Sequence, residues 1–238
     1  MPTDLTDPYA VTDLAPEAVE AELTERWDAL LPASPELGAA LRRRYAEPHR
    51  RYHDQAHLLQ VLRVVDRLAG DEDVYVVRLA AWFHDAVYDV PERELTNEEA
   101  SARLSVRELG RAGFEQEDLT QVARLVRLTE THAPGGRDPE GELLCDADLA
   151  ILAAPPERYD AYVEAVRAEH ASVPEEEFLA GRLAVLEPLA DSEIFRSGKA
   201  QSLKAAARAN LGRELWSLRD RLGLEQPEDE DPVRDSRR

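Results

Sequence analysis

The chain has 238 residues, 43% of them hydrophobic, a single cysteine and a formal charge of −20. That length supports one sizeable core without staples, and the charge argues against duplex nucleic acid, which is gripped by many lysines and arginines. One cysteine excludes an intramolecular disulfide, and no window approaches the roughly 18 uninterrupted apolar residues of a membrane span. The N-terminus lacks the basic stretch and apolar run of a signal peptide, so the expected compartment is the cytoplasm.

Ala, Leu, Glu and Arg dominate while Gly, Phe and Met are sparse, a vocabulary that favours helix. Residues 1–12 and 226–238 are polar, proline-bearing and expected to be disordered, leaving 13–225 as one helical domain. Val19, Leu23, Trp27, Leu30 and Leu31 form one stripe of an amphipathic helix, and 37–45 gives a short second one. A third helix is predicted over 53–69, with Leu58, Leu59, Leu62, Val65 and Leu68 inward and Gly70-Asp71 as the stop. A fourth covers 74–88; its near-continuous apolar run Leu79 to Phe83 predicts burial on most sides, at the centre of the domain.

Thr96 and Glu99 fit a capping box that opens a fifth helix through Leu109, ended by Gly110 and Gly113. Further helices are predicted at 116–131, 143–153, 157–171, 175–189 and 200–222, separated by Pro134-Gly135-Gly136, Pro155-Pro156, Pro174 and Ser197-Gly198. No strand-like alternation is convincing and no fixed-period repeat is visible. The expected fold class is all-α, a single bundle of about nine or ten helices.

Three of the six histidines fall in two compact clusters, Tyr52-His53-Asp54-Gln55-Ala56-His57 and Phe83-His84-Asp85-Ala86-Val87-Tyr88-Asp89. At i and i+4 on the predicted third helix, His53 and His57 share one face. His84 and Asp85 follow an apolar segment, where an imidazole and a carboxylate are costly unless paired or bound to metal. A third polar island, Asp146-Ala147-Asp148, again lies among apolar residues. Two histidines and two aspartates from these segments make a mixed nitrogen and oxygen shell suited to a divalent ion. The Asp-Leu context favours Asp148 as the fourth ligand, with Asp146 in the same turn as the alternative, or else as a residue beside the ligand shell, at the substrate or at a second ion.

The order His57, His84-Asp85, Asp148 resembles the H…HD…D signature of the HD superfamily of metal-dependent phosphohydrolases, and implies a helical fold in which these four side chains bind the metal. Arg51-Tyr52-His53-x3-His57-Leu58, Ala80 to Asp85 with Tyr88-Asp89, Asn97-Glu98-x2-Ser101-Ala102, Thr129-x2-His132, Asp146 to Leu149 and Arg208-x-Asn210-Leu211 are similar to a bacterial group of HD phosphohydrolases, over roughly residues 20–220. Tyr52-His53-x3-His57 also resembles the first histidine motif of cyclic-nucleotide phosphodiesterases, which implies His53 as general acid. Asp54 stands where those enzymes have asparagine.

The chemistry so implied is metal-assisted hydrolysis of a small phosphoester or phosphoanhydride, nucleotide-like, in which a divalent ion (Mn, Mg, Fe, Co, Ni or Zn) activates a water. Asp85 would hold one ion or bridge two. Asp89, Glu98 and His132 are candidates for a second ion, and Asn97 for that ion or the substrate. Arg51 could clamp a phosphate in the forked geometry of guanidinium.

Against these stand plainer roles: a hydrogen-bonded histidine for His53, a dipole-favoured first turn for Asn97 and Glu98, and a helix-end cap for His132. His49 and His170 are given no role. Two rival functions are a di-iron oxygenase on the same scaffold and a non-catalytic helical module held by metal. No membrane or duplex nucleic-acid partner is expected, and homodimerisation stays open.

Overall fold

The computed structural model describes residues 14–225, so the ends expected at 1–12 and 226–238 lie outside the described residues. Among these residues the chain is all-helical, with ten α-helices and no strand. In chain order they are Pro16–Leu30 (α1), Pro35–Tyr45 (α2), Gln55–Ala69 (α3), Tyr75–Phe83 (α4), Asn97–Arg111 (α5), Gln116–Leu128 (α6), Pro139–Asp148 (α7), Pro156–Glu169 (α8), Glu175–Asp191 (α9) and Lys204–Arg221 (α10). Short 3-10 turns at Leu149–Ala153 and Gly198–Leu203 follow α7 and precede α10.

Helices α3 and α4 form the centre. α4 packs against α3, α5, α6 and α7, and Val77 and every residue from Leu79 to Phe83 are buried, as its continuous apolar run predicts. α3 is enclosed more completely than one stripe requires: Val61 and Val64 are buried along with the five expected residues, because α1, α2, α4 and α7 all contact it. Gly70 closes α3 at φ 65°, a left-handed conformation in which a side chain is strained. Trp27 of α1 meets Trp82 of α4 edge to face, with centroids 5.0 Å apart. α2 approaches Trp27 so closely that a Cβ on Gly38 would lie 2.2 Å from the indole.

Several boundaries differ from the sequence reading, each for a local reason. α3 starts at Gln55 because Asp54 is its N-cap, accepting from the amides of Ala56 and His57. His53 therefore lies outside the helix, and the shared-face argument for His53 and His57 does not apply.

α4 ends at Phe83 rather than near Tyr88. The Ala81 carbonyl, which would accept the Asp85 amide in a continued helix, receives His84 Nδ1 at 2.7 Å instead, and the Asp85 amide donates to the Tyr45 hydroxyl. α5 runs through Gly110 to Arg111, with Gly113 at φ 88° just beyond. Only half of the capping box forms: Thr96 accepts the Glu99 amide, but the Glu99 carboxylate pairs with Arg103 and Arg127. α7 begins at Pro139 instead of 143, since Asp138 accepts from the Gly141 amide and proline suits the first turn.

Candidate metal centre

The end of α4, the start of α3 and the end of α7 meet at one buried point. His57, in the first turn of α3, and His84, just past α4, bring their Nε2 atoms to 3.1 Å. Asp85 Oδ2 lies 3.4 Å from the first nitrogen and 3.2 Å from the second. Asp148 Oδ1, at the last residue of α7, lies 3.3 and 3.6 Å from the same two atoms. His57, His84 and Asp85 are all buried and form a group able to hold a metal ion, with Asp148 at its side.

The electrostatics fit a cation at this point. Burial, the largest influence on His57, pushes its imidazole toward the neutral form, yet hydrogen bonds to Asp148 and Asp85 and their charges override it and raise the pKa to about 10. His84 is likewise driven down by burial and raised by Asp85 and Asp148. Burial pushes the Asp85 and Asp148 carboxylates up, and the surrounding imidazoles, His84 first, pull both below the usual range. Positive charge is thus strongly favoured between the two aspartates. Two imidazole nitrogens at 3.1 Å cannot both donate to each other, whereas a shared cation satisfies both lone pairs and both carboxylates. The 2.7 Å bond from His84 Nδ1 to the Ala81 carbonyl leaves Nε2 as the free ligand atom.

Neighbouring segments hold the two histidine clusters together. Arg50, 5% exposed, donates from Nη1 to the carbonyls of both His53 and Asp85 at 2.8 Å, and its guanidinium stacks near the Tyr45 and Tyr88 rings. Glu169, the last residue of α8, accepts the amides of Arg51, Tyr52 and His53 at 2.8–2.9 Å on one oxygen. Its other oxygen meets His53 Nδ1 at 2.7 Å. Burial alone would raise the Glu169 pKa, but the hydrogen bond and charge of His53 and the backbone amides hold it at about 2. His53 stacks on Tyr88 at 4.1 Å and its ring centroid is 5.5 Å from that of His57, so it borders the centre from a loop.

A cleft of about 530 Å3 opens beside the centre, lined among others by His53, Tyr88, Glu98, His132, Asp148 and Arg182. The volume lies in the range of small-molecule sites. His132 sits at φ 50°, a left-handed conformation at the end of α6, which brings Nε2 to 2.8 Å from Asp148 Oδ2. Glu98 also lines the cleft; burial and the nearby Asp85 charge raise its pKa. Asp89 reaches the cleft wall but is paired with Arg93 at 2.9 Å.

The remaining candidates differ in their surroundings. Asn97 is buried, its side chain accepting the Asp89 amide and donating to the Asp89 carbonyl, so it shapes the loop. Asp146 turns away from the imidazoles and accepts the amides of Arg196 and Ser197 at 2.9 and 2.8 Å. Arg51 is exposed and lines a neighbouring cavity of about 230 Å3 that His57 also lines and that shares Tyr52, Ile151 and Tyr162 with the cleft. His170, given no role from sequence, lines the cleft. His49 contacts the Tyr88 carbonyl.

Sequence reasoning missed Arg50, Glu169 and Arg182. Arg50 adjoins the first cluster, and its place beside the loop that carries His53 was the one available signal. Glu169 and Arg182 sit in ordinary charged helices far along the chain.

Two buried imidazoles and two aspartates converging from separate helix ends make a mixed nitrogen and oxygen donor set able to hold a divalent cation. Residues 55–151, about two fifths of the chain, match the family model of the HD domain, a domain whose proteins are generally metal-dependent phosphohydrolases. The matched stretch contains His57, His84, Asp85 and Asp148, and leaves out His53, Glu169 and Arg182. No curated protein and no solved structure matches the chain. Among the described residues no helix is long and apolar enough to cross a membrane.

Proposed function

We propose that this protein hydrolyses a small phosphoester or phosphoanhydride, a nucleotide or related metabolite, with His57, His84, Asp85 and Asp148 holding a divalent ion. The observation that carries the reading is the meeting of those four side chains at separations of 3.1–3.6 Å. When bound, such an ion supplies Lewis acidity toward a phosphoryl oxygen and makes a water acidic enough to ionise near neutrality.

The chain's own residues supply orientation and proton transfer. His84 is held in one tautomer by the Ala81 carbonyl, and Asp148 is steadied by His132. His53 acts as general acid toward the leaving oxygen: it borders the cleft, and Glu169 behind it holds Nδ1 and fixes the ring. Glu98, on the wall of the same cleft, is the candidate to support a second ion, and His132 would serve there only by giving up its contact with Asp148. The His53–Glu169 pair favours hydrolysis over oxygen activation, because a proton donor poised at the cleft serves a leaving group and is not required for a redox reaction.

The test is a panel of nucleotides and phosphate esters incubated with protein loaded in turn with Mn, Co, Mg, Ni and Zn. Release of phosphate or opening of a phosphodiester is expected with at least one metal. His53→Ala should lower kcat about 10²–10⁴-fold while metal affinity by calorimetry stays unchanged. No turnover across the panel, or equal loss of metal and turnover in His53→Ala, would overturn the assignment.

A further inference from the structure

The cleft continues past His53, Tyr88 and Tyr162 into a recess walled by Phe178, Val185 and Arg182. Its walls are acidic: Asp89, Glu92, Glu98, Glu130 and Asp148 line the main part and Glu177 the recess. Among the described residues lining either part, Arg182 is the one arginine or lysine. In a chain of net charge −20, an anionic substrate finds little else to offset repulsion on this side of the cleft.

Arg182, on α9, is held rigidly. Its Nε donates to Glu214 Oε1 at 2.8 Å, and its Nη2 donates to the Tyr162 hydroxyl at 2.8 Å and to Glu214 Oε2 at 3.3 Å. Glu214, on α10, is itself fixed by the Tyr159 hydroxyl. This network ties α8, α9 and α10 together and would alone account for a buried arginine. It leaves something over, however: among the described residues nothing accepts from Nη1, and a guanidinium carries five N–H donors in a fixed fork. The Tyr162 ring beneath the guanidinium packs on Tyr52 at 4.5 Å, and Tyr52 on His57 at 4.8 Å. Arg182 is therefore set two rings away from the metal centre, preorganised and with donors to spare.

We propose that Arg182 is the residue by which this cleft recognises an anionic group, a phosphate or carboxylate, on its substrate. The inference rests on reading the cleft as the substrate site. It narrows the substrate to a compound whose anionic group reaches the Tyr162 side of the cleft while the scissile group lies at the metal centre. A purely structural Arg182 predicts no response to an added anion; a recognition residue does.

The experiment uses full-length protein labelled with [15N]arginine, freed of metal with a chelator and titrated with inorganic phosphate. The Arg182 Nε–H signal is assigned by its absence in Arg182→Lys, which keeps a cation beside Glu214. The expected result is a saturable shift of that signal. In the double variant Arg182→Gln/Glu214→Gln, which removes both charges together so that neither is left buried alone, phosphate affinity should fall about tenfold or more. A shift of the Arg182 signal in the wild-type protein supports the assignment even if the double variant does not fold, and even if no metal-loaded form turns over. Absence of a shift at saturating phosphate overturns it, as does unchanged phosphate affinity in a folded double variant. Turnover of a phosphorylated substrate alongside either result leaves the hydrolase reading intact and removes only the role of Arg182.

Discussion

Replacing Glu169 with Gln keeps the shape of the side chain and removes its charge. That charge accepts three consecutive backbone amides and His53 Nδ1, and the side chain is fully inaccessible. The carboxyl pKa is lowered from 4.5 to about 2. At about 1.4 kcal/mol per unit this corresponds to about 3 kcal/mol of stability at pH 7. Because the folded value lies below the unfolded one, the contribution is complete above about pH 5 and is lost as pH falls through 4.5 toward 2. Urea unfolding followed by circular dichroism should show Glu169→Gln less stable than wild type by about 3 kcal/mol at pH 7, and by about 1 kcal/mol at pH 3. A gap that is the same at both pH values, or below about 0.5 kcal/mol at pH 7, would refute the role assigned to this carboxylate.

Three further outcomes are expected. Asp146→Ala should cost about 1–3 kcal/mol by stranding the Arg196 and Ser197 amides, with metal affinity by calorimetry unchanged. Gly38→Ala forces a methyl into the Trp27 indole and should lower stability by about 1–3 kcal/mol in a denaturant melt. His53→Ala should separate turnover from metal binding in the assay described above, with kcat reduced and calorimetric affinity retained.

The helical class and most of the elements were legible because apolar stripes, prolines and caps act locally. The polar quartet was legible for a related reason: His84-Asp85 and Asp148 interrupt apolar runs, and such interruptions stand out. What was not legible depends on tertiary pairing. Glu169 is one of many glutamates in charged helices, and its partners Arg51 to His53 lie more than a hundred residues away. Arg182 has the same anonymity within α9. The early end of α4 was hidden too, since it follows from Tyr45, forty residues upstream, capturing the Asp85 amide. His53 was correctly suspected of lying near His57 for a wrong reason, because the loop set by Arg50 and Glu169, and not helical periodicity, brings it there.

The most direct test is titration of chelator-treated protein with Mn, Co, Ni, Zn and Mg by calorimetry, on wild type and on His84→Ala and Asp148→Ala. Saturable binding of at least one ion by the wild type is expected, reversed by chelator and lost or weakened at least about a hundredfold in both variants. Heat curves indistinguishable from buffer for every ion, or equal affinity in all three proteins, would contradict a metal centre built from these side chains.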